Sequence, residues 1–257
     1  MTGRATGSEL WIRRFHPAAE GAPRLVCLPH AGGSASFYFP VSKALSPRVE
    51  VLAVQYPGRQ DRRLEPCVRD IGALADRICE ALGPWTSGGA PALFGHSMGA
   101  TLGFEVAWRL EQRANLVVPH LFASGRRAPS THRDERVHER DDAGVLEELR
   151  LLDGTEVGLL ENPETRDMVL PAIRGDYTAI ETYRPSPGAV LSGPVTVLTG
   201  DADPKTRLDE ARAWAAHTTG PFDLKVYRGG HFFLLQHVPE VLDLIAGTLA
   251  PAAARRG

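Results

Sequence analysis

An α/β architecture is what this chain predicts: a mostly parallel central sheet with helices on both faces and a helical insertion over about residues 126–190. Two features of the sequence predict it. Short apolar runs bounded by proline and glycine alternate with longer stretches whose apolar residues recur at steps of three and four, the rhythm of a parallel sheet covered on both sides. After Gly125 that rhythm stops, and it resumes only at Pro194; between them lie helical patterns and no strand. With 257 residues, 43% of them apolar and 23% charged, the chain can bury a substantial core, and residues 1–257 read as one domain carrying that insertion.

In chain order, residues 10–15 alternate enough for an edge strand and residues 24–28 form a short buried one. A glycine loop follows, Pro29-His30-Ala31-Gly32-Gly33-Ser34, and then helical spacing as far as Leu45. The loop fits neither a Walker nor a dinucleotide fingerprint, so it reads as backbone that comes close to something. A strand over 49–54 ends in Tyr56-Pro57-Gly58-Arg59. Ile71, Leu74, Ala75, Ile78 and Leu82 give one apolar face to a helix over 70–82, which Gly83 and Pro84 stop. Next come a strand ending at the Ser97 turn, a helix over 98–112 and a strand over 119–124. Residues 126–142 interleave arginines with Asp134, Glu135, Glu139, Asp141 and Asp142, the composition of a solvated, mobile connector. Helices over 143–152 and 162–183 fill the insertion. Strands over 194–199 and 222–227 and helices over 208–217 and 238–249 complete the pattern, and the short Ala/Arg tail is expected to fray.

Bulk properties exclude several classes of function. A net charge of −2 and a pI near 6.5 give no basic surface for nucleic acid. Cys27, Cys67 and Cys79 are odd in number and lack C-x-x-C spacing, so they build neither a disulfide framework nor a zinc site and suit a reducing cytoplasm. Residues 1–9 hold no apolar signal region, and no run is long enough to span a membrane. No cofactor motif is present. The nine histidines are scattered with no H-E-x-x-H, so no metal is expected.

The chemistry gathers at Gly95-His96-Ser97-Met98-Gly99. An apolar run before it and helical spacing after it describe a strand, a tight turn with a serine at its apex, and a helix. Ser97 is expected to be strained and exposed, and the Met98 N–H sits at a helix N-terminus, where negative charge is favoured. Two further polar residues lie just past predicted strands, Asp203 and His231, which gives the chain order Ser, Asp, His and the placement of an α/β-hydrolase triad. A serine hydroxyl needs a base when it attacks; imidazole suits near neutral pH, and a carboxylate fixes the imidazole tautomer. Asp201 is the rival acid, read here as a residue that closes a turn. The Ala31 N–H, in the glycine loop after the first buried strand, is nominated as the second oxyanion donor beside Met98. His30, His96 and His237 read as loop or helix-surface residues, with His96 also a candidate for shaping the pocket because it adjoins Ser97.

Five motifs in order, Leu28-Pro29-His30-Ala31-Gly32-Gly33, Tyr56-Pro57-Gly58-Arg59, Gly95-His96-Ser97-Met98-Gly99-Ala100, Gly200-Asp201-Ala202-Asp203-Pro204 and Gly229-Gly230-His231-Phe232-Phe233-Leu234, resemble the type II thioesterases. These are the stand-alone editing enzymes of modular polyketide and nonribosomal peptide synthesis. The resemblance runs from about residue 25 to 249. It implies an α/β-hydrolase fold with a helical lid after the sixth core strand, catalysis at Ser97, Asp203 and His231, and oxyanion donors at Ala31 and Met98. It also implies a substrate and a partner: stray acyl groups held as thioesters on the phosphopantetheine arm of an acyl or peptidyl carrier domain. One departure is the absence of a tryptophan shortly after Phe37, Tyr38 and Phe39, which bears on pocket shape. Residue types alone do not separate thioester from ester cleavage. A chain-releasing or fatty-acid-synthesis thioesterase and a catalytically silent hydrolase-fold binding module stay open; no carrier domain or linker upstream argues against release. The arginines from Arg126 and Arg127 onward are candidates for docking an acidic carrier.

Overall fold

Successive side chains of a strand point to opposite faces, and in this sheet both faces are apolar. Leu25 and Cys27 turn toward one buried cluster, Val26 and Leu28 toward the other. Such a sheet needs a layer of helices on each side. The computed structural model describes residues 7–152 and 162–250 and shows that arrangement. The elements in chain order are α1 (Gly7–Trp11), β1 (Ile12–Arg13), β2 (Arg24–Leu28), α2 (Phe39–Leu45), β3 (Glu50–Val54), α3 (Ile71–Leu82), β4 (Ala92–His96), α4 (Met98–Ala114) and β5 (Leu121–Ser124). There follow α5 (Asp142–Leu151), α6 (Pro163–Thr182), β6 (Val195–Gly200), α7 (Leu208–Arg212), β7 (Phe222–Tyr227) and α8 (Val238–Leu249). Asp70 caps α3 by accepting the Ala73 N–H at 2.7 Å.

The seven strands lie in the order β1-β3-β2-β4-β5-β6-β7, and β1 alone pairs antiparallel. α3 and α4 cover one face around Ile78, Leu102 and Phe104; α2 and α8 cover the other with Leu45, Val241 and Ile245. Because β2 through β7 run the same way, the loops that follow β2, β4, β6 and β7 all leave from one rim. Ligands gather at such rims in open α/β sheets.

Several local expectations shift. The edge strand shrinks to two residues because residues 7–11 form a helical turn against α3, with the Ser8 hydroxyl donating to Ala81 O at 2.9 Å. The helical stretch before Leu45 begins as a tight 3-10 turn over Ala35–Tyr38, with Pro40 in the first turn of the α-helix proper. The insertion leaves the sheet after the fifth strand, one earlier than the resemblance implied, since a single short strand precedes β2.

The inserted segment has a small core of its own, Val137, Val145, Leu146, Leu170, Ile173 and Tyr177, against which Ala31 packs. Its charged connector is only partly solvated: Asp134, Arg136 and Glu139 are exposed, but others are not. Arg127 is 4% exposed and pairs with Glu135 at 2.6 Å; Lys205 reaches Glu135 at 3.1 Å and also pairs with Glu148; Arg133 Nε donates to Glu210 at 2.8 Å. Part of the alternating charge here is matched across elements, while Arg136 pairs locally with Asp134 and Glu139 at the surface. Residues 153–161 of the insertion and the Ala/Arg tail lie outside the described residues.

Candidate active site

The Ser97 turn is built by close approach of backbones. A Cβ on Gly95 would stand 2.0 Å from Gly99 O, and one on Gly99 would stand 2.0 Å from Leu28 O, so only glycine allows the strand, the turn and the glycine loop to pack this tightly. Ser97 itself takes φ 55° and ψ −118°, a strained conformation for a residue with a side chain. Its N–H donates to Ser124 O at 2.8 Å, which ties the turn to β5. Met98 opens α4, so its N–H has no partner within the helix. The Ser97 hydroxyl makes no hydrogen bond among the described residues.

Asp203 and His231 meet. His231 Nδ1 lies 3.0 Å from both Oδ1 and Oδ2 of Asp203, and both side chains are buried. A carboxylate only accepts, so Nδ1 carries the proton and Nε2 is the free lone pair. Asp203 is held in turn by the Lys205 N–H, which donates to Oδ1 at 2.8 Å. Asp201 does something else: its Oδ1 accepts the Gly229 N–H at 2.8 Å, closing the loop that carries His231.

The glycine loop borders the elbow because β2 pairs directly with β4, with Leu28 opposite Gly95. The Ala31 N–H has no hydrogen-bond partner among the described residues. Around it the loop is pinned at several atoms. Tyr38 Oη donates to Leu28 O at 2.8 Å, Tyr56 Oη donates to Pro29 O at 3.1 Å, and the Gly32 N–H donates to Asp176 Oδ2 at 2.8 Å. Asp176 comes from α6 of the inserted segment. It also takes a two-pronged bond from Arg59, at 2.9 and 2.8 Å, while Arg59 Nη1 donates to Gly33 O at 2.9 Å. Burial acts against the Arg59 charge, yet the Asp176 carboxylate outweighs it and raises the guanidinium pKa.

Sequence reasoning missed this pair. Arg59 stood in a quoted motif without a role. Asp176 falls three residues after Ile173 and next to Tyr177, so a carboxylate on the apolar stripe of a predicted helix was the signal available.

The histidine expectations divide. His237 does lie at the surface, at the start of α8, with Nε2 donating to Arg228 O at 2.9 Å. His96 does not: as the last residue of β4 it is fully buried, its Nδ1 is 3.0 Å from Ser124 Oγ, and its ring centre is 4.9 Å from that of His231. Burial, with His231 and His30 nearby, pushes its pKa well below the usual histidine value. His30 is pushed down to about 3 by burial, then by His231 and Arg59, and its ring packs edge-on to Phe37 and Phe232. Both stay uncharged at neutral pH and form an apolar-walled floor beside His231. Arg127, buried against Glu135, is not available to dock a carrier. Among the described residues no group of three or more His, Cys, Asp or Glu side chains is arranged to hold a metal ion, and no helix is long and apolar enough to cross a membrane.

A strained serine at a strand–helix turn, an imidazole polarised by a carboxylate, and two free backbone N–H groups are the parts of an acyl-transfer site. Comparison with known proteins gives the family. The thioesterase domain family model matches residues 23–249. A probable cadicidin biosynthesis thioesterase of Streptomyces griseus is 57% identical over 94% of this chain and 66% of that protein. Thioesterase PikA5 of Streptomyces venezuelae is 52% identical over 94% of this chain and 86% of that protein. Among solved structures, the type II thioesterase BorB from the borrelidin biosynthetic cluster is 52% identical, with a TM-score of 0.88, covering 96% of this chain and 100% of that one. The chain belongs to the thioesterase family, and type II thioesterases of biosynthetic clusters are among its relatives.

Proposed function

We propose that this thioesterase removes acyl groups from the phosphopantetheine arms of acyl or peptidyl carrier domains, acting as an editing enzyme of a polyketide or nonribosomal peptide synthase. Ser97, Asp203 and His231 are its catalytic residues, and the Ala31 and Met98 N–H groups form its oxyanion site. The observation that carries the reading is the His231–Asp203 contact at 3.0 Å, on the same sheet rim as a strained serine whose hydroxyl is uncommitted. The biosynthetic clusters of the relatives supply the carrier-bound substrate. In this reading the segment over about 126–190 is a lid on a single hydrolase domain, and Cys27, Cys67 and Cys79, all free thiols, suit a reducing cytoplasm.

The chemistry follows from the parts. Ser97 Oγ attacks the thioester carbonyl while His231 Nε2 takes its proton; Asp203 stabilises the imidazolium. The carbonyl oxygen becomes an oxyanion that accepts hydrogen bonds from the Ala31 and Met98 N–H groups, each such donor being worth on the order of 10²–10³ in turnover. The C–S bond then breaks, and His231 returns the proton to the departing carrier thiol. Water, deprotonated by the same imidazole, cleaves the acyl-enzyme to a carboxylic acid and restores Ser97. The test compares acetyl, propionyl and longer acyl groups as carrier-bound thioesters, free thioesters and oxygen esters. Highest kcat/KM on short carrier-bound thioesters is the expected result, and preference for the oxygen ester overturns it.

A further inference from the structure

A second cavity, of about 100 Å³, lies beside the candidate site without including Ser97, Asp203 or His231. Its wall joins the start of the connector after β5, the end of α6, and Thr101 of α4, one helical turn past Ser97. Arg126 is the unusual member. Its neighbour Arg127 is neutralised by Glu135, and Glu181, the acidic residue in the wall, is already committed to the Val137 and His138 N–H groups at 3.0 Å each and to the His138 ring. The Arg126 guanidinium, half-buried against this wall, makes neither a hydrogen bond nor an ion pair among the described residues. Burial and Arg127 beside it both disfavour its charge. The buried Thr101 makes no side-chain hydrogen bond either. At the exposed rim Arg184 donates to His132 Nε2 at 3.0 Å, to Tyr183 O at 2.7 Å and to Glu181 O at 3.3 Å.

A half-buried guanidinium with no carboxylate partner, at the wall of a cavity, favours an anion there. A water needs on the order of 10–15 Å³ of such space, so this cavity has room for a phosphate-sized group and not for a whole pantetheine arm. We propose that the cavity is an oxyanion site that takes a phosphate group, held by the Arg126 guanidinium and the Thr101 hydroxyl with Arg184 at its mouth. The phosphate has two sources, free phosphate or the phosphate of a phosphopantetheine-bearing substrate, and only the second rests on the proposed function.

Inorganic phosphate titrated into the full chain at constant ionic strength, followed by melting temperature and calorimetry, tests the site. Wild type is expected to show saturable stabilisation. Arg126→Gln and Thr101→Val should each weaken it, the former by about tenfold to a hundredfold, as for loss of a charge-assisted bond. Absence of saturation, or equal response in all three proteins, overturns the proposal. Because the two variants act through different side chains, a folding defect in one leaves the other to decide. A kinetic arm then separates the sources. A lower KM for acetyl-phosphopantetheine than for acetyl-pantetheine, lost in Arg126→Gln at unchanged kcat, places the substrate's phosphate in the cavity; no difference, with Arg126-dependent phosphate binding intact, supports a free-anion site. Failure to hydrolyse either thioester would refute the proposed function while leaving the phosphate titration readable.

Discussion

The sheet rim and the inserted segment face the same site, but they are held by different forces. At the rim, position is fixed by backbone against backbone: the Ser97 turn closes only because Gly95 and Gly99 leave no Cβ to meet Gly99 O and Leu28 O, and the first ten residues of α4 are buried. The inserted segment has six buried apolar residues at its centre and is tied down by side-chain charge. Asp176 to Arg59 and Gly32 makes one tie; Arg127, Glu135, Lys205 and Glu148 make another; Arg133 to Glu210 makes a third. Two of those ties end near the reactive groups, at the Ala31 loop and beside the Asp203 loop.

The largest effect should come from the rim. Ser97→Ala is expected to lower kcat by roughly 10⁴–10⁶ with an unchanged melting temperature, because among the described residues none bonds to that hydroxyl. Gly99→Ala should do the reverse in kind, losing fold and activity together, since the added methyl meets backbone that has nowhere to move. Next comes the strongest tie. Asp176→Ala leaves the 7%-exposed Arg59 unpaired and frees Gly32, so a stability loss of about 3–5 kcal/mol is expected in denaturant melts. Activity should fall more than that loss explains, through kcat.

Acid should separate the two regions. The buried His96 and the half-buried His30 resist a proton that the unfolded chain takes up below 6.5, so their contribution is fully present above 6.5 and is lost as pH falls toward about 3 for His30, at no more than about 1.4 kcal/mol per pH unit for each group. Glu135 acts later. Burial raises its pKa, but Arg127 and Lys205 overcome this and hold it at about 2. The stability it lends is present above 4.5 and lost from 4.5 downward. Melts in a pH series should show a first decline starting near 6.5, weakened in a His96→Asn variant, and a second starting near 4.5, weakened in Glu135→Gln. A single decline would merge the regions that this account separates. Smallest of all, amide exchange in α5 should be faster than in β4 at neutral pH, since opening the insertion does not require opening the sheet.

How much of this was legible beforehand follows the same division. Rim residues announce themselves: glycines at fixed offsets around Ser97, an aspartate and a histidine just past strands that meet at 3.0 Å, an apolar period that gives α8 over Val238–Leu249 and α3 from an Asp70 cap. Backbone geometry is written in local sequence. Charge pairing is not. Residues 126–142 read as a mobile connector because charge-rich segments are usually solvated, and nothing local says that Arg133 will find Glu210 or that Lys205 will reach Glu135. The same limit hid Asp176, whose partner Arg59 is far away in sequence, and misfiled His96, buried only because strands flank β4 on both sides.

Whether the Ser97 oxygen is the atom that takes up the acyl group can be read directly. Wild type mixed with an acetyl thioester and quenched early should gain one acetyl mass, mapped by peptide analysis to Ser97, and His231→Ala should gain it far more slowly. An acetyl group on any other side chain, or turnover in Ser97→Ala at the wild-type rate, would contradict the account.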